Sequence, residues 1–314
     1  VKAIVTGGAG FLGDLVARRL LERGADRVVL VDLAPPHGDL GDDPRVDLRL
    51  GDLAETVAGL EPADLVVHLA AVVSGAAEQD LDLGLRVNVD TTRAVLDRAR
   101  AWGTVPTVVF ASSLAVYGRD PWHAPPAVVD DDTLPRPQSS YGIQKFIGEQ
   151  LVADYTRRGL VRGRSVRLMT VAVRPGAPNA AASSFVSGII REPLAGEESV
   201  CPVDPDLPIV ISSPRRTVDG LLAAADADDE AWGSRTALNL PGLVVTPRQM
   251  AAALDRVTGE PTSRLIRWER DPRIEAIVAS WPARFATARA DRLGLTTEAT
   301  VDDVVRAYLD RSAQ

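Results

Sequence analysis

Gly7, Gly10 and Gly13 recur at a three-residue spacing between a short apolar run, Lys2–Thr6, and a helical pattern. That pattern carries Leu12, Leu15, Val16 and Leu20 on one face and stops at Gly24. Few backbone geometries satisfy this order. A strand turning so tightly into a helix aims bare N–H groups at one point, where the helix dipole favours an anion. Glycine is required there because a Cβ would collide with the ligand or spoil the helix–sheet contact. A second apolar run, residues 27–31, ends in Asp32, about twenty residues beyond the last glycine, as ribose recognition requires. Without those flanks the glycines would read as an ordinary turn and Asp32 as an ordinary strand end. With them, the pattern predicts a βαβ unit that binds a dinucleotide.

The alternation continues. Residues 46–50, 64–69 and 107–111 read as further strands, and residues 81–102 as a long helix with Leu85, Val89, Thr92, Leu96 and Ala99 on its buried face. This order predicts an α/β fold built on a doubly wound parallel sheet. Residues 119–140 hold Pro121, Pro125, Pro126, Pro135 and Pro137 and fit no regular element. A loop of that length in a compact domain is usually functional, often a lid. A helix over residues 141–158 and a strand over 164–173 follow. After Pro175 the regularity breaks down: helices are expected at 180–191 and 216–227, and strands at 209–211 and 237–240. Thr246-Pro247-Arg248-Gln249 is a capping box that opens another helix, and residues 300–311 read as a terminal helix. The expected division is a first domain over residues 1–174 with a return around 209–240. A smaller C-terminal lobe then comprises residues 175–208 and 241–314.

Charge and composition narrow the partners. The 43 acidic residues against 35 basic ones argue against nucleic acid and against an anionic membrane surface. Cys201 alone excludes an internal disulfide, and His37, His68 and His123 lack metal-ligand spacing, so no metal is expected. No apolar run is long enough to span a bilayer and no leader is read, so a cytoplasmic location is expected.

Of the 35 basic residues only Lys2 and Lys145 are lysine. A lysine in mid-chain therefore hints that a compact ammonium is wanted there. Tyr141 stands four residues before it, about 40° away around a helix axis, so both side chains share a face. Tyrosine ordinarily loses its proton near pH 10, and a fixed ammonium nearby makes the phenolate accessible as a general base. Ser113, just past the fifth strand, is placed to hold a substrate hydroxyl at the sheet edge where ligands sit. The plainer alternative makes Tyr141 a helix-start aromatic and Lys145 an exposed partner of Glu149.

Together these residues resemble the extended short-chain dehydrogenases/reductases, the family of sugar-nucleotide epimerases and dehydratases. The resemblance rests on Thr6-Gly7-Gly8-Ala9-Gly10-Phe11-Leu12-Gly13, Asp32, Asp52-Leu53, His68-Leu69-Ala70-Ala71, Asn88-Val89, Ser112-Ser113, Val116-Tyr117-Gly118 and Tyr141 with Lys145. It implies a Rossmann-like fold, catalysis by Ser113, Tyr141 and Lys145, and NAD held by Gly7, Gly10, Phe11, Leu12 and Gly13. Asp52 and Leu53 would border the adenine, Ala70 and Ala71 the pyrophosphate, and Asn88 would lie behind the site. Tyr141 and Lys145 would also contact the cofactor, and Val173 would open the segment beneath the nicotinamide. Asp32 would accept from the ribose hydroxyls and repel a 2′-phosphate, and Leu33-Ala34-Pro35-Pro36 offers no cation for one, which favours NAD over NADP. The family also implies a homodimer.

A narrower resemblance covers the second half. Arg167-Leu168-Met169-Thr170, Val173–Asn179, Ser183-Ser184-Phe185, Arg191-Glu192-Pro193-Leu194, Ser213-Pro214-Arg215-Arg216, Ser280-Trp281-Pro282 and Ser74-Gly75 are similar to the D-erythronate dehydrogenase branch. This implies a small sugar acid as substrate, oxidised at its C2 hydroxyl with NAD. Ser74, Ser113, Tyr141, Thr170, Asn179 and Ser184 are the candidates for its hydroxyls. A carboxylate is best held by a bidentate arginine, for which Arg174, Arg191 and Arg215 are candidates and Arg215 the first choice. Two alternatives stay open: a sugar-nucleotide epimerase with the same triad, and a regulator that senses a dinucleotide without turnover.

Overall fold

The computed structural model describes residues 1–120, 122–123, 126–176 and 181–312, the side chains of residues 311 and 312 excepted. Seven strands form one sheet in the order β3-β2-β1-β4-β5-β6-β10: β1 Lys2–Thr6, β2 Arg27–Asp32, β3 Val46–Leu50, β4 Leu65–His68, β5 Thr107–Ser113, β6 Arg162–Leu168 and β10 Leu238–Asn239. β1 pairs in parallel with β2 and β4, β2 with β3, and β4 with β5. Ala3-Ile4-Val5, Val28–Val31, Leu65–Val67 and Val108–Ala111 are unbroken buried runs, the pattern of strands covered on both faces by helices. The chain winds outward from β1 through β2 to β3, then resumes at β4 on the other side of β1. At that switch point ligands sit outside the carboxyl ends of the strands.

Register puts the functional segments at one level. Thr6 lies opposite both Val31 and His68, and His68 opposite Phe110. The residues that follow (Gly7, Asp32, Leu69-Ala70 and Ala111–Ser113) therefore leave the sheet along one edge.

The chain divides into two compact units. The first comprises residues 1–113, 140–167 and 218–238. Its core packs Ile4, Val29, Val31, Val66, Val108 and Phe110 of the sheet against Leu53, Val95, Leu96 and Val152 of the covering helices. The expected helix at 81–102 is present from Leu81 to Ala101, interrupted by a π-helical turn at Leu85–Asp90. Such turns often mark functional positions, and this one carries Asn88.

The second unit comprises residues 114–139, 168–217 and 239–314. It holds a three-stranded sheet, β11-β9-β7, with β7 Thr170–Val171, β9 Ile209–Ser212 and β11 Leu243–Val245. A two-stranded sheet pairs β8 Ser199–Cys201 with β12 Ile266–Trp268. Its core gathers Phe185, Val186, Ile189 and Ile190 with Met250, Leu254, Val304 and Val305. The capping box holds: Thr246 Oγ1 accepts from the Gln249 N–H at 3.2 Å, and the Gln249 side chain accepts from the Thr246 N–H at 2.9 Å.

Two expectations need correction. The strand expected over residues 164–173 is two strands in two sheets, because the buried Met169 between β6 and β7 packs with Leu114 and Val210 of the second unit. Apolar alternation reports that a strand is buried, not which sheet receives it. The strand near 209 pairs with β7 and β11, so the return to the first unit starts at Val218 instead of near 209, and residues 114–139 belong to the second unit as well. The loop at 119–140 is tied down over its later half. Val129 is fully buried, donating to the Arg284 carbonyl at 2.9 Å and accepting from the Ala286 N–H at 2.7 Å, while Asp131 accepts from the Asn239 N–H at 2.7 Å. Pro121 and Pro125 lie outside the described residues.

Candidate active site

The glycine loop is shaped by close approach. A Cβ on Gly13 would lie 2.1 Å from the Gly7 carbonyl oxygen and 2.7 Å from the Gly8 Cα, and one on Gly7, whose φ is +69°, 2.8 Å from the Ala70 nitrogen. The helix Phe11–Glu22 starts from Gly10 with no side chain capping it, so its N-terminal dipole faces the loop. Asp32 ends β2 half-exposed. Its Oδ2 accepts from the Ala9 N–H at 2.9 Å and its Oδ1 from the Leu33 N–H at 2.7 Å, which fixes the carboxylate beside the loop. A glycine-rich cradle, a helix N-terminus and a level carboxylate fit a dinucleotide in pyrophosphate and ribose alike. Asp52 caps the short helix Leu53–Thr56 by accepting from the Ala54 N–H at 2.8 Å, and the Leu53 side chain is core.

Behind the cradle runs a chain of hydrogen bonds that sequence reasoning missed. The Ala70 N–H donates to Thr6 Oγ1 at 3.3 Å, and Thr6 Oγ1 lies 2.6 Å from His68 Nδ1. His68 Nε2 lies 3.0 Å from Thr92 Oγ1, which donates to the Asn88 carbonyl at 2.8 Å. Since the Thr92 proton is committed to that carbonyl, Nε2 carries the imidazole hydrogen and Nδ1 accepts from Thr6. Asn88 then pins the strand-end loop. Its side chain exchanges hydrogen bonds of 2.9 and 3.1 Å with the Val72 backbone and donates to Gln144 Oε1 at 2.8 Å. The only hint in the sequence was the four-residue spacing of Asn88 and Thr92.

Burial, then the Lys145 charge, pushes the His68 pKa down to about 3. The unfolded chain takes up this proton below about pH 6.5 and the native chain does not until about 3. Stability therefore falls as pH drops through that window, by about 1.4 kcal/mol per pH unit. Urea unfolding between pH 7 and pH 5 should show a shallower pH slope for His68→Gln than for the parent; equal slopes would refute the neutral imidazole.

Lys145 is 2% exposed. Its Nζ donates to the Ala111 carbonyl on β5 at 2.8 Å and lies 4.9 Å from the Phe110 ring centre and 5.7 Å from that of Tyr141. The plainer alternative, an exposed lysine paired with Glu149, therefore does not hold. Burial pushes the Lys145 pKa down to about 8, opposed by the Glu149 carboxylate, so at pH 7 roughly nine-tenths of it remains ammonium. Tyr141 is half-buried in the first turn of the helix Ser140–Arg157, and Ser113, half-buried, ends β5 two residues past Ala111.

The remaining candidates are spread more widely. Ser74 opens the short helix Ser74–Gln79 of the first unit and is buried. In the second unit, Thr170 joins Ser183, Leu114, Val210 and Trp281 around a small pocket. Ser184 opens the helix Ser184–Leu194. The Val173 side chain is in the core, which leaves only its backbone for a ligand. The Arg191 guanidinium is spent on the Arg174 carbonyl at 2.8 Å and Glu192 at 2.5 Å, so it acts as a clasp. Arg215 is exposed, and Asn179 lies outside the described residues. Among the described residues no group of His, Cys, Asp and Glu is arranged to hold a metal, and no helix is long and apolar enough to cross a membrane.

The chain is 48% identical to the D-erythronate dehydrogenase of Cupriavidus necator, over 99% of this chain and 98% of that protein. It is 40% identical to the D-erythronate dehydrogenase of Haemophilus influenzae, over 99% of each. A crystal structure described as the nucleoside-diphosphate-sugar epimerase from Agrobacterium tumefaciens shares the fold with a TM-score of 0.89 and 38% identity, over 98% of this chain and 93% of that one. Residues 3–210 match the NAD dependent epimerase/dehydratase family. A match that runs from β1 into β9 leaves no part of the glycine cradle or of the Tyr141 helix outside it, and the chain belongs to that family, with NAD as its cofactor.

Proposed function

We propose that the protein oxidises the C2 hydroxyl of a small sugar acid, D-erythronate, to 2-dehydro-D-erythronate. The observation that carries this reading is Lys145, a buried ammonium anchored to β5 and set beside the Tyr141 ring. The substrate comes from the two full-length relatives that bear the name.

NAD, when bound, supplies the hydride acceptor. The loop from Gly7 to Gly13 and the helix N-terminus at Phe11 and Leu12 would hold its pyrophosphate, Asp32 its adenosine ribose, and Lys145 its other ribose. Ser113 orients the C2 hydroxyl by hydrogen bonding. Tyr141, as the phenolate that the Lys145 ammonium makes tolerable, takes the hydroxyl proton and becomes the neutral phenol. Thr170, Ser184 and Arg215 remain the candidates for the rest of the substrate. The reading includes a homodimer, on the family resemblance alone, and a cytoplasmic location.

Incubating the protein with NAD and a panel of four- to six-carbon aldonic and uronic acids should give NADH with D-erythronate foremost. The 38% identical structure described as an epimerase favours a second reading, nucleoside-diphosphate-sugar epimerisation. That reaction returns the hydride to its substrate, so interconversion of a nucleotide sugar without net NADH would establish it and remove the first. Asp32→Ala should narrow the preference for NAD over NADP at least about tenfold, since it removes both the ribose acceptor and the charge that repels a 2′-phosphate. An unchanged ratio of kcat/KM for the two cofactors would remove Asp32 from that role.

A further inference from the structure

Glu149 follows Lys145 by one turn of the Ser140–Arg157 helix. Its Oε1 accepts from Ser112 Oγ at 2.5 Å and from Arg167 Nε at 2.9 Å, and its Oε2 from Arg167 Nη2 at 2.8 Å. Both side chains of the ion pair are out of water, 3% and 2% exposed. Such a pair is a poor stabiliser in itself, because desolvating two charges cancels most of their attraction and an apolar pair of equal volume serves as well. What it touches is more telling. Ser112 directly precedes Ser113, and Ala111, whose carbonyl takes the Lys145 ammonium, directly precedes Ser112. One carboxylate thus ties the helix of Tyr141 and Lys145 to the strand end that presents Ser113.

We propose that the Glu149–Arg167 pair is a positioning element for the oxidation: it locks the Ala111–Ser113 strand end against the Tyr141 helix and places a negative charge one turn beyond Lys145. The proposal rests on the reading of Tyr141 as the base. The groups facing Lys145 are Tyr141 and Glu149 from its own helix, neutral His68 from β4, and Phe110 and the Ala111 carbonyl from β5. Burial pushes the Lys145 pKa down, and the Glu149 carboxylate opposes it.

The chain offers a direct test, because Lys2 and Lys145 are its only lysines. Isotope labelling of lysine Nζ gives two NMR signals, and Lys145 can be titrated in the whole protein. Ser112→Ala cuts the tie to the strand and leaves every charge in place. The double variant Glu149→Gln/Arg167→Met removes both charges at nearly constant volume. For Ser112→Ala, kcat should fall about tenfold with KM nearly constant and the Lys145 midpoint unmoved. For the double variant, kcat should fall at least about tenfold and the Lys145 midpoint should move down by roughly half a pH unit or more. NAD affinity, measured first, identifies a variant that has not folded; if the double variant has not, Ser112→Ala decides alone. A Lys145 midpoint in the double variant equal to the parent's, or Ser112→Ala turnover within twofold of the parent's, overturns the proposal. If the parent itself forms no NADH from D-erythronate, the oxidation reading fails instead, and the Lys145 titration still decides whether Glu149 acts on the ammonium.

Discussion

Tyr141→Phe is expected to lower turnover about 10³-fold, the middle of the range for removing a general base, while NAD affinity stays within about twofold. Phenylalanine keeps the ring, which sits 5.7 Å from Lys145 Nζ, so the packing at the helix start survives and only the hydroxyl is lost. A loss of that size with NAD binding intact cannot come from a disturbed cofactor site. The residual rate should also lose its rise with pH, because the titrating phenol is gone. In the parent, Tyr141 and Lys145 exchange charge over a short distance, so the profile reports the pair and not either group. Burial holds the Lys145 pKa down to about 8, so the ammonium that stabilises the phenolate is lost as pH rises well above that value. Near-normal turnover by Tyr141→Phe would remove this residue as the base.

The nucleotide half of the fold could be read from residues because its constraints are local. The steric demand at Gly7 and Gly13 falls on glycine alone, and the doubly buried strands are runs such as Val28–Val31 that fit little else. The second unit was harder. Met169 sits inside what reads as one apolar strand, yet the chain changes sheets there because Leu114 and Val210, remote in sequence, pack on that side chain. Likewise the loop at 119–140 reads as loose because its anchors, Arg284, Ala286 and Asn239, lie more than a hundred residues away. Side-chain roles followed the same divide. Lys145 stood out by its rarity and its spacing from Tyr141. Arg191 is a candidate for a carboxylate by residue type, but the fold spends its guanidinium on the Arg174 carbonyl and Glu192. The Thr6–His68–Thr92 chain and the Glu149–Arg167 pair are formed from commonplace residue types whose meaning is created by folding.

Gly13→Ala tests the cradle most severely. Alanine is the better helix former by about 1 kcal/mol, so propensity alone predicts a stabilised helix Phe11–Glu22. The added Cβ, however, would stand 2.1 Å from the Gly7 oxygen and 2.7 Å from the Gly8 Cα. Both are backbone atoms, with no flexible side chain to swing aside. Relieving that overlap must push the helix from the β1 turn, at an overpacking cost of about 3 kcal/mol, which outweighs the propensity gain and leaves the variant about 2 kcal/mol less stable. The same displacement opens the turn that receives the pyrophosphate, so NAD affinity should fall at least about a hundredfold, far more than the stability loss alone implies. Gly10→Ala is the control. Its Cβ would meet only the Gly7 oxygen, at 3.2 Å, an overlap removed by a few tenths of an ångström, so its stability should stay within about 1 kcal/mol of the parent. Chemical denaturation and calorimetric NAD titration of the two variants measure both quantities. If Gly13→Ala is no less stable than Gly10→Ala, close helix–strand approach is not what the third glycine provides.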